Sequence, residues 1–338
     1  MRWIVRPLVA AAVIGLWPAL GFAQSFETLG TRAAGMGGAF VGVADDASAV
    51  YWNPAGLAKG SYFSLLLDWK AAKSAPDDLE IGAGSTSAGV IALSMPAFGL
   101  SYYRLRETIA RPTFLPSPGV PRPALIDNNV ATLITHHIGA TVVQSIGDYL
   151  AVGGTAKLVR GIASSGVVLG ADPDDLLDES SDLIGRASNK FDADVGVMAI
   201  LGKMRAGVTV RNLTEPEFET VDEETSSLRL QRQGRAGVAF VSPAGLTVAF
   251  DADLNKTTGP HGDVRNIAIG GEAHLVRRVF ARAGFNVNSI GDQRGGRAPA
   301  VSVGGSYLAL GALLVDGQFT TGSEAAGRSW GVAARIVY

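Results

Sequence analysis

From residue 61 onward, apolar side chains recur at every second position, in segments mostly of nine to thirteen residues. In the last of these, Trp330, Val332, Ala334, Ile336 and Tyr338 share one face, and Ser329, Gly331, Ala333, Arg335 and Val337 the other. Val279, Ala281, Ala283, Phe285 and Val287 alternate with Phe280, Arg282, Gly284, Asn286 and Asn288, and Leu246, Val248, Phe250 and Ala252 with Thr247, Ala249, Asp251 and Asp253. Period-two patterning is the signature of β-strands. Soluble strands average about five to six residues, whereas a tilted membrane strand needs roughly nine to eleven. The pattern predicts strands at 61–69, 88–95, 98–107, 130–146, 149–163, 189–201, 204–213, 229–241, 246–256, 264–276, 279–288, 299–310, 313–321 and 329–338, fourteen in all. Tight turns alternate with longer loops, so the turns gather at one end and the loops at the other, as in an outer-membrane barrel. The hydrocarbon layer offers no water to exposed backbone groups, so such a sheet has to close. The fold class expected is an all-β, 14-stranded antiparallel transmembrane β-barrel.

The face assignments carry a second expectation. Arg205, Arg211, Arg235, Asp251, Asp253, Glu272, Arg282, Asp316 and Arg335 fall opposite the Val, Ile and Phe positions and are expected to line the interior. There they form a selectivity zone or neutralise one another in a packed lumen. The pairs Gly153-Gly154, Gly270-Gly271 and Gly304-Gly305 mark either bends in the wall or sites of close packing.

Ahead of the strands, Arg2 and Arg6 precede an apolar stretch from Leu8 to Trp17, broken by Pro18 and followed by Gly21-Phe22-Ala23. This is the form of a secretory signal over residues 1–23. Beyond it there is no uncharged apolar run of eighteen residues, which excludes a helical inner-membrane protein. The chain has no Cys, so disulfides, thiolate metal sites and Cys nucleophiles are excluded. Its formal charge is −2, which argues against binding nucleic acid by neutralising phosphates.

Residues 24–60 form a separate unit before the barrel at 61–338, and from residue 28 on they do not alternate. Gly35, Gly37 and Gly38 permit close backbone approach and positive φ. Asp45-Asp46 followed by Ala47 to Tyr51 fits a short capped helix, and Asn53-Pro54 a helix stop. Gly35-Met36-Gly37-Gly38-Ala39-Phe40, Ala44-Asp45-Asp46-Ala47-Ser48 and Trp52-Asn53-Pro54-Ala55-Gly56 together resemble the N-terminal hatch of the FadL-type outer-membrane transporter superfamily. Within it they are closest to the branch of PorV/PorQ-like and TraF-like proteins. The resemblance implies that Gly35, Gly37, Gly38, Asp45, Asp46, Ser48, Asn53 and Pro54 belong to a small N-terminal hatch (a plug) that gates the lumen. It also implies that apolar ligands pass through the barrel, and that an aromatic-ended last strand is read by the outer-membrane assembly machinery. This barrel is shorter than the fatty-acid transporters and has no equivalent of their large apolar loops.

Catalytic patterns are missing. The four histidines, His136, His137, His261 and His274, form no His-Glu-x-x-His, and there is no Gly-x-Ser-x-Gly elbow or Walker loop. His136 and His137, adjacent on a strand, point to opposite faces. No enzyme activity, metal or cofactor is expected. Acidic clusters at Asp172, Asp174, Asp175, Asp178, Glu179 and Asp182, and at Glu215, Glu217, Glu219, Asp222, Glu223 and Glu224, are either solvated loops or oxygen ligands for cations that bridge lipopolysaccharide. The function expected is passage of small hydrophobic molecules across the Gram-negative outer membrane, with membrane lipid and lipopolysaccharide as surroundings. The alternative, from the PorV-like branch, is a docking or scaffold component for secreted proteins.

Overall fold

The computed structural model describes residues 22–23, 28–74, 82–115, 124–168, 177, 184–221, 227–259, 261–291 and 296–338. Fourteen strands close into one antiparallel barrel: β1 (Ser64–Ser74), β2 (Ala83–Met95), β3 (Phe98–Leu115), β4 (Ala124–Ile146), β5 (Leu150–Val168), β6 (Arg186–Leu201), β7 (Met204–Arg211), β8 (Gln233–Val241), β9 (Leu246–Asp253), β10 (Asn266–Val276), β11 (Val279–Asn288), β12 (Ala300–Leu310), β13 (Leu313–Gly322) and β14 (Arg328–Val337). Closure is made by β14 on β1, with Val332 opposite Trp69 and Arg335 opposite Leu66. Every predicted segment is a strand. Several in the first half run further than alternation showed, β3 reaching Leu115 and β5 Val168. The expected signal segment lies outside the described residues, apart from Phe22–Ala23, which pair in parallel with Leu228 and Arg229. The acidic positions Asp172, Asp174, Asp175, Asp178, Glu179, Asp182, Asp222, Glu223 and Glu224 also lie outside them.

The strand pattern follows from two opposite solvents. Val248, Phe250, Val301, Val303, Phe319, Trp330 and Val332 are all exposed on the outer face, while Asp251, Arg282, Asp316 and Arg335 are buried within. This inverts the order of a soluble protein, as a lipid-facing barrel requires. Six short turns, among them those around Gly147, Gly202 and Gly311, close one end; all three glycines have positive φ. The longer connections lie at the other end. There Phe218, Leu228 and Leu230 fold inward onto Ala131, Leu133, Val159 and Ala163 of the wall. Leu177 packs against Ala83, Ala110 and Val130 on the outer face.

Residues 28–60 enter this cylinder. Two short helices, α1 (Thr31–Gly35) and α2 (Ala49–Trp52), lead into a 3-10 helix at Pro54–Lys59, and nearly every residue from Leu29 to Leu57 is buried.

Val332 sits in the middle of the outer face of β14. Val332→Arg is expected to destabilise the barrel by about 2–4 kcal/mol, the cost of a guanidinium at the bilayer midplane. Reversible unfolding in lipid vesicles, read by heat-modifiable gel mobility, measures it.

Candidate functional site

The luminal segment is held by ions, by main-chain hydrogen bonds and by missing side chains. The ionic contacts form a closed ring of six alternating charges. Arg32 pairs with Glu272 at 2.8 Å and with Asp46 at 3.0 Å. Glu272 pairs with Arg282, Arg282 with Asp316 at 3.3 Å, Asp316 with Arg335, and Arg335 returns to Asp46 at 3.2 Å. Arg32 and Asp46 come from the segment, and the other four from β10, β11, β13 and β14. A spur runs from Arg32 to Asp45 at 2.6 Å and on to Arg205 of β7 at 3.2 Å. Burial by itself pushes the Asp46 carboxyl up, but Arg32 and Arg335 together with the Ser48 hydroxyl bring it down to about 2, so Asp46 is charged at neutral pH.

Around the ring, wall side chains bind the segment's backbone. Asp251 Oδ2 accepts from the amides of Phe40 and Val41, both at 2.8 Å. Asp68 accepts from the Thr31 amide at 2.6 Å, and Lys70 donates to the Thr28 carbonyl at 2.8 Å. Arg235, paired with Asp253 at 2.7 Å, donates to the Gly38 carbonyl at 3.2 Å. Within the segment, the Trp52 indole donates to the Leu29 carbonyl at 2.7 Å. Asn53 reaches both Val41 O and Val197 O at 3.2 Å, while its Oδ1 caps the 3-10 helix at the Ala55 amide. Arg211 lies 3.4 Å above the Tyr51 ring, and Tyr51 meets Tyr103, itself stacked on His137 at 4.3 Å. Beyond them Lys157 is buried between Asp192 at 2.9 Å and Asp194 at 2.7 Å.

The third element is a track of wall glycines. A methyl added at Gly270 or Gly284 would overlap the main chain of Met36 and Gly37. One at Gly153 would overlap Pro54 and Ala55, one at Gly196 or Gly207 the Asn53 amide, and one at Gly99 the Val50 side chain. These glycines, on six strands, are there because backbone or buried amide occupies the space. Gly153, Gly270 and Gly304 are thus packing positions rather than bends. In the segment, Gly37 and Gly38 have φ of +66° and +84°. Gly35, by contrast, is helical in α1, and its role is its contact with Gly304 of β12.

The residues expected to line the lumen stand on the inner face: Arg235 pairs with Asp253, Glu272, Arg282, Asp316 and Arg335 belong to the ring, Arg205 reaches Asp45, Arg211 lies 3.9 Å from Asp194, and Asp251 binds the segment's amides. The expected capped helix begins at Ala49, later than predicted. Ser48 is its N-cap residue, without a side-chain cap bond; Asp46 instead accepts from the Ser48 amide at 2.9 Å. The facing of Asp68, Lys70 and Lys157 was missed, although each shares the parity of its strand's interior residues. Among the described residues, no three His, Asp or Glu side chains gather so as to hold a metal ion.

Two cavities flank α1 in the sector of β10 to β14. One of about 240 Å³, toward the long loops, is lined by Ala34, Gly37, Asn286, Asn288, Ala300 and Ser302 among others. The second, of about 220 Å³ toward the short turns, is lined by Arg32, Asp46, Glu272, Arg282 and Arg335.

Comparison with known proteins agrees with this architecture. A family model described as F plasmid transfer operon, TraF, protein matches residues 137–253. No curated protein sequence matches. Among solved structures, the CymD monoaromatic hydrocarbon channel is similar at 13% identity, TM-score 0.60, over 91% of this chain and 96% of that one. A Pseudomonas aeruginosa FadL homologue gives 11% identity, TM-score 0.61, over 94% and 99%. The Ralstonia pickettii toluene transporter TbuX gives 14% identity, TM-score 0.59, over 92% and 99%. The fold is therefore that of the FadL-type barrels.

Removing one partner of a buried ion pair costs about 3–5 kcal/mol, so Arg32→Ala is expected to loosen the segment by that order, read as faster hydrogen exchange over residues 40–57. Gly284→Val should expel the segment through overpacking worth about 1–3 kcal/mol or more, making Arg32, enclosed in the lumen by its ion pairs, accessible to trypsin. Gly317→Ala, where an added methyl meets nothing, should leave protection unchanged.

Proposed function

We propose that the chain is an outer-membrane channel for small hydrophobic molecules, closed by residues 28–60 acting as a plug. The observation that carries this reading is the pair of cavities on either side of α1, one toward the long loops and the other, lined by the ionic ring, toward the short turns. The upper one, at about 240 Å³, exceeds the roughly 150 Å³ that suffices for benzene. Ala34, Ala72, Ala298, Ala300, Ala325 and Ala326 give it apolar surface, set among the polar side chains of Lys70, His261, Asp263, Asn286 and Asn288. The short turns face the periplasm and the long loops the exterior. A ligand enters from the loops, rests above α1 and leaves when α1 shifts, which is a population shift between closed and open states of the plug. The neighbouring folds, titled as hydrocarbon channels and a toluene transporter, support the ligand class. The match to the TraF model over residues 137–253 supports the TraF-like side of the branch over the PorV/PorQ-like side.

The test is toluene flux in proteoliposomes through the full chain and through Gly284→Val, in which an added side chain would overlap the main chain of Met36 and Gly37. The full chain is expected to pass toluene and to exclude small polar solutes, and Gly284→Val to admit both. No toluene flux through the parent chain overturns the channel; unchanged exclusion in Gly284→Val, once the segment is shown to be displaced, overturns closure by the segment. Recovery of a stoichiometric exported protein with an impermeable barrel would instead favour the docking role.

A further inference from the structure

The outer wall carries a departure from its own rule. On β3, β4 and β5, Arg104, His136 and Arg160 stand directly opposite one another in a single register row. All three share the face of the apolar outer residues Tyr102, Ile138 and Leu158. Arg106 follows two residues along the same face of β3. Neighbouring strands lie about 4.8 Å apart, so Arg104 and Arg160 flank His136 across about 10 Å. Tyr102 fixes the imidazole through a 2.8 Å hydrogen bond between its hydroxyl and Nδ1. Among the described residues of these three strands, no Asp or Glu stands on this face.

The height of the row follows from the strand geometry. His136 is ten residues from Ile146 at the short-turn end of β4. At about 3.3 Å per residue and a tilt of about 40°, that is about 25 Å, the height of a barrel's apolar band. Six residues further out on both strands, Leu177 covers Ala110 and Val130. The cations therefore sit where hydrocarbon ends and headgroups begin, on the long-loop side.

We propose that Arg104, His136 and Arg160 form a binding site for a phosphate group of the outer-leaflet glycolipid, lipopolysaccharide. Planar guanidiniums suit phosphate through paired charge-assisted hydrogen bonds, and a row of them at the headgroup level is neutralised from the membrane side. The assignment rests on the outer-membrane orientation given above, but not on transport. It also differs from the acidic loops, which would bind the lipid only through cations.

Full-length protein in detergent, titrated with diphosphorylated lipid A and read by native mass spectrometry and thermal unfolding, tests it. The parent chain is expected to bind this lipid about tenfold or more tightly than its dephosphorylated counterpart, phosphatidylglycerol or inorganic phosphate. Arg104→Gln/Arg160→Gln should lose that preference while keeping heat-modifiable mobility, and Arg160→Gln alone, a milder change, should lose most of it. Equal binding of phosphorylated and dephosphorylated lipid, equal binding of phosphatidylglycerol, or an unchanged preference in the variants overturns the site. Toluene flux is a separate readout, so the channel and the lipid site fail independently.

Discussion

Six buried charges closing a ring between the wall and the luminal segment are the constraint on which the rest depends. A charge removed from water is tolerated only when paired and hydrogen-bonded. Each member here has two ionic neighbours, so each desolvation cost is offset twice. The division of the ring matters as much as its closure. The wall contributes Glu272, Arg282, Asp316 and Arg335, and the segment Arg32 and Asp46, so each part is neutral on its own. If the segment withdraws, the wall keeps two internal pairs, and Arg32 keeps Asp46 and Asp45. Undocking therefore separates charge only along the spur, where Arg205 loses Asp45. The ring's own neutrality lowers the cost of moving a tightly packed element out of a lumen, provided water follows it in.

The glycine track performs the complementary task. Ions fix the segment's position around the sector of β10 to β14, but they set no depth. Gly153, Gly207, Gly270 and Gly284 let the backbone of residues 36–55 lie directly on the wall, and Gly99 and Gly196 make room for Val50 and for the Asn53 amide. Close contact recovers dispersion that a layer of side chains would hold at a distance. The two short helices supply little stability of their own, since four or five residues cannot sustain a helix in isolation. Their shape is imposed by the cylinder, through Asp251 on two successive amides, Asp68 on the first turn of α1 and Asn53 between two strands.

Much of this was legible in the chain. Alternation gave the number of strands because lipid and lumen impose opposite preferences on successive residues, and that signal is strongest in the second half, from Leu246 to Tyr338. It weakened at the long-loop ends of β3 to β6, where the strands rise clear of the bilayer and the outer face no longer has to be apolar. The inward placement of the charges follows strand parity alone. Their pairing does not, because Arg282 with Asp316, or Arg335 with Asp46, depends on register and on where the segment lies, and neither is encoded in spacing. Arg104 and Arg160 were missed for an instructive reason. They obey the alternation of their strands yet carry the wrong polarity for the face, and that conflict is visible only once neighbouring strands are aligned.

The arrangement also bears on what an opening would have to do. The segment is gripped in two sectors by different means: ions along β10 to β14, and aromatic, amide and glycine contacts along β3 to β7. The second grip is dry and tightly packed, with Trp52, Phe40 and Tyr51 fully buried, so displacing it would open voids. The first is polar, and the cavity on the short-turn side adjoins it, lined by Arg32, Asp46, Glu272, Arg282 and Arg335. Water arriving from that side reaches the ring before it reaches the packed face. A path is therefore made most cheaply by rotating α1 and exchanging partners of Arg32 while residues 39–57 stay seated, and not by ejecting the whole segment. Such a motion needs room near Ala34 and Gly37, which is where the larger cavity lies.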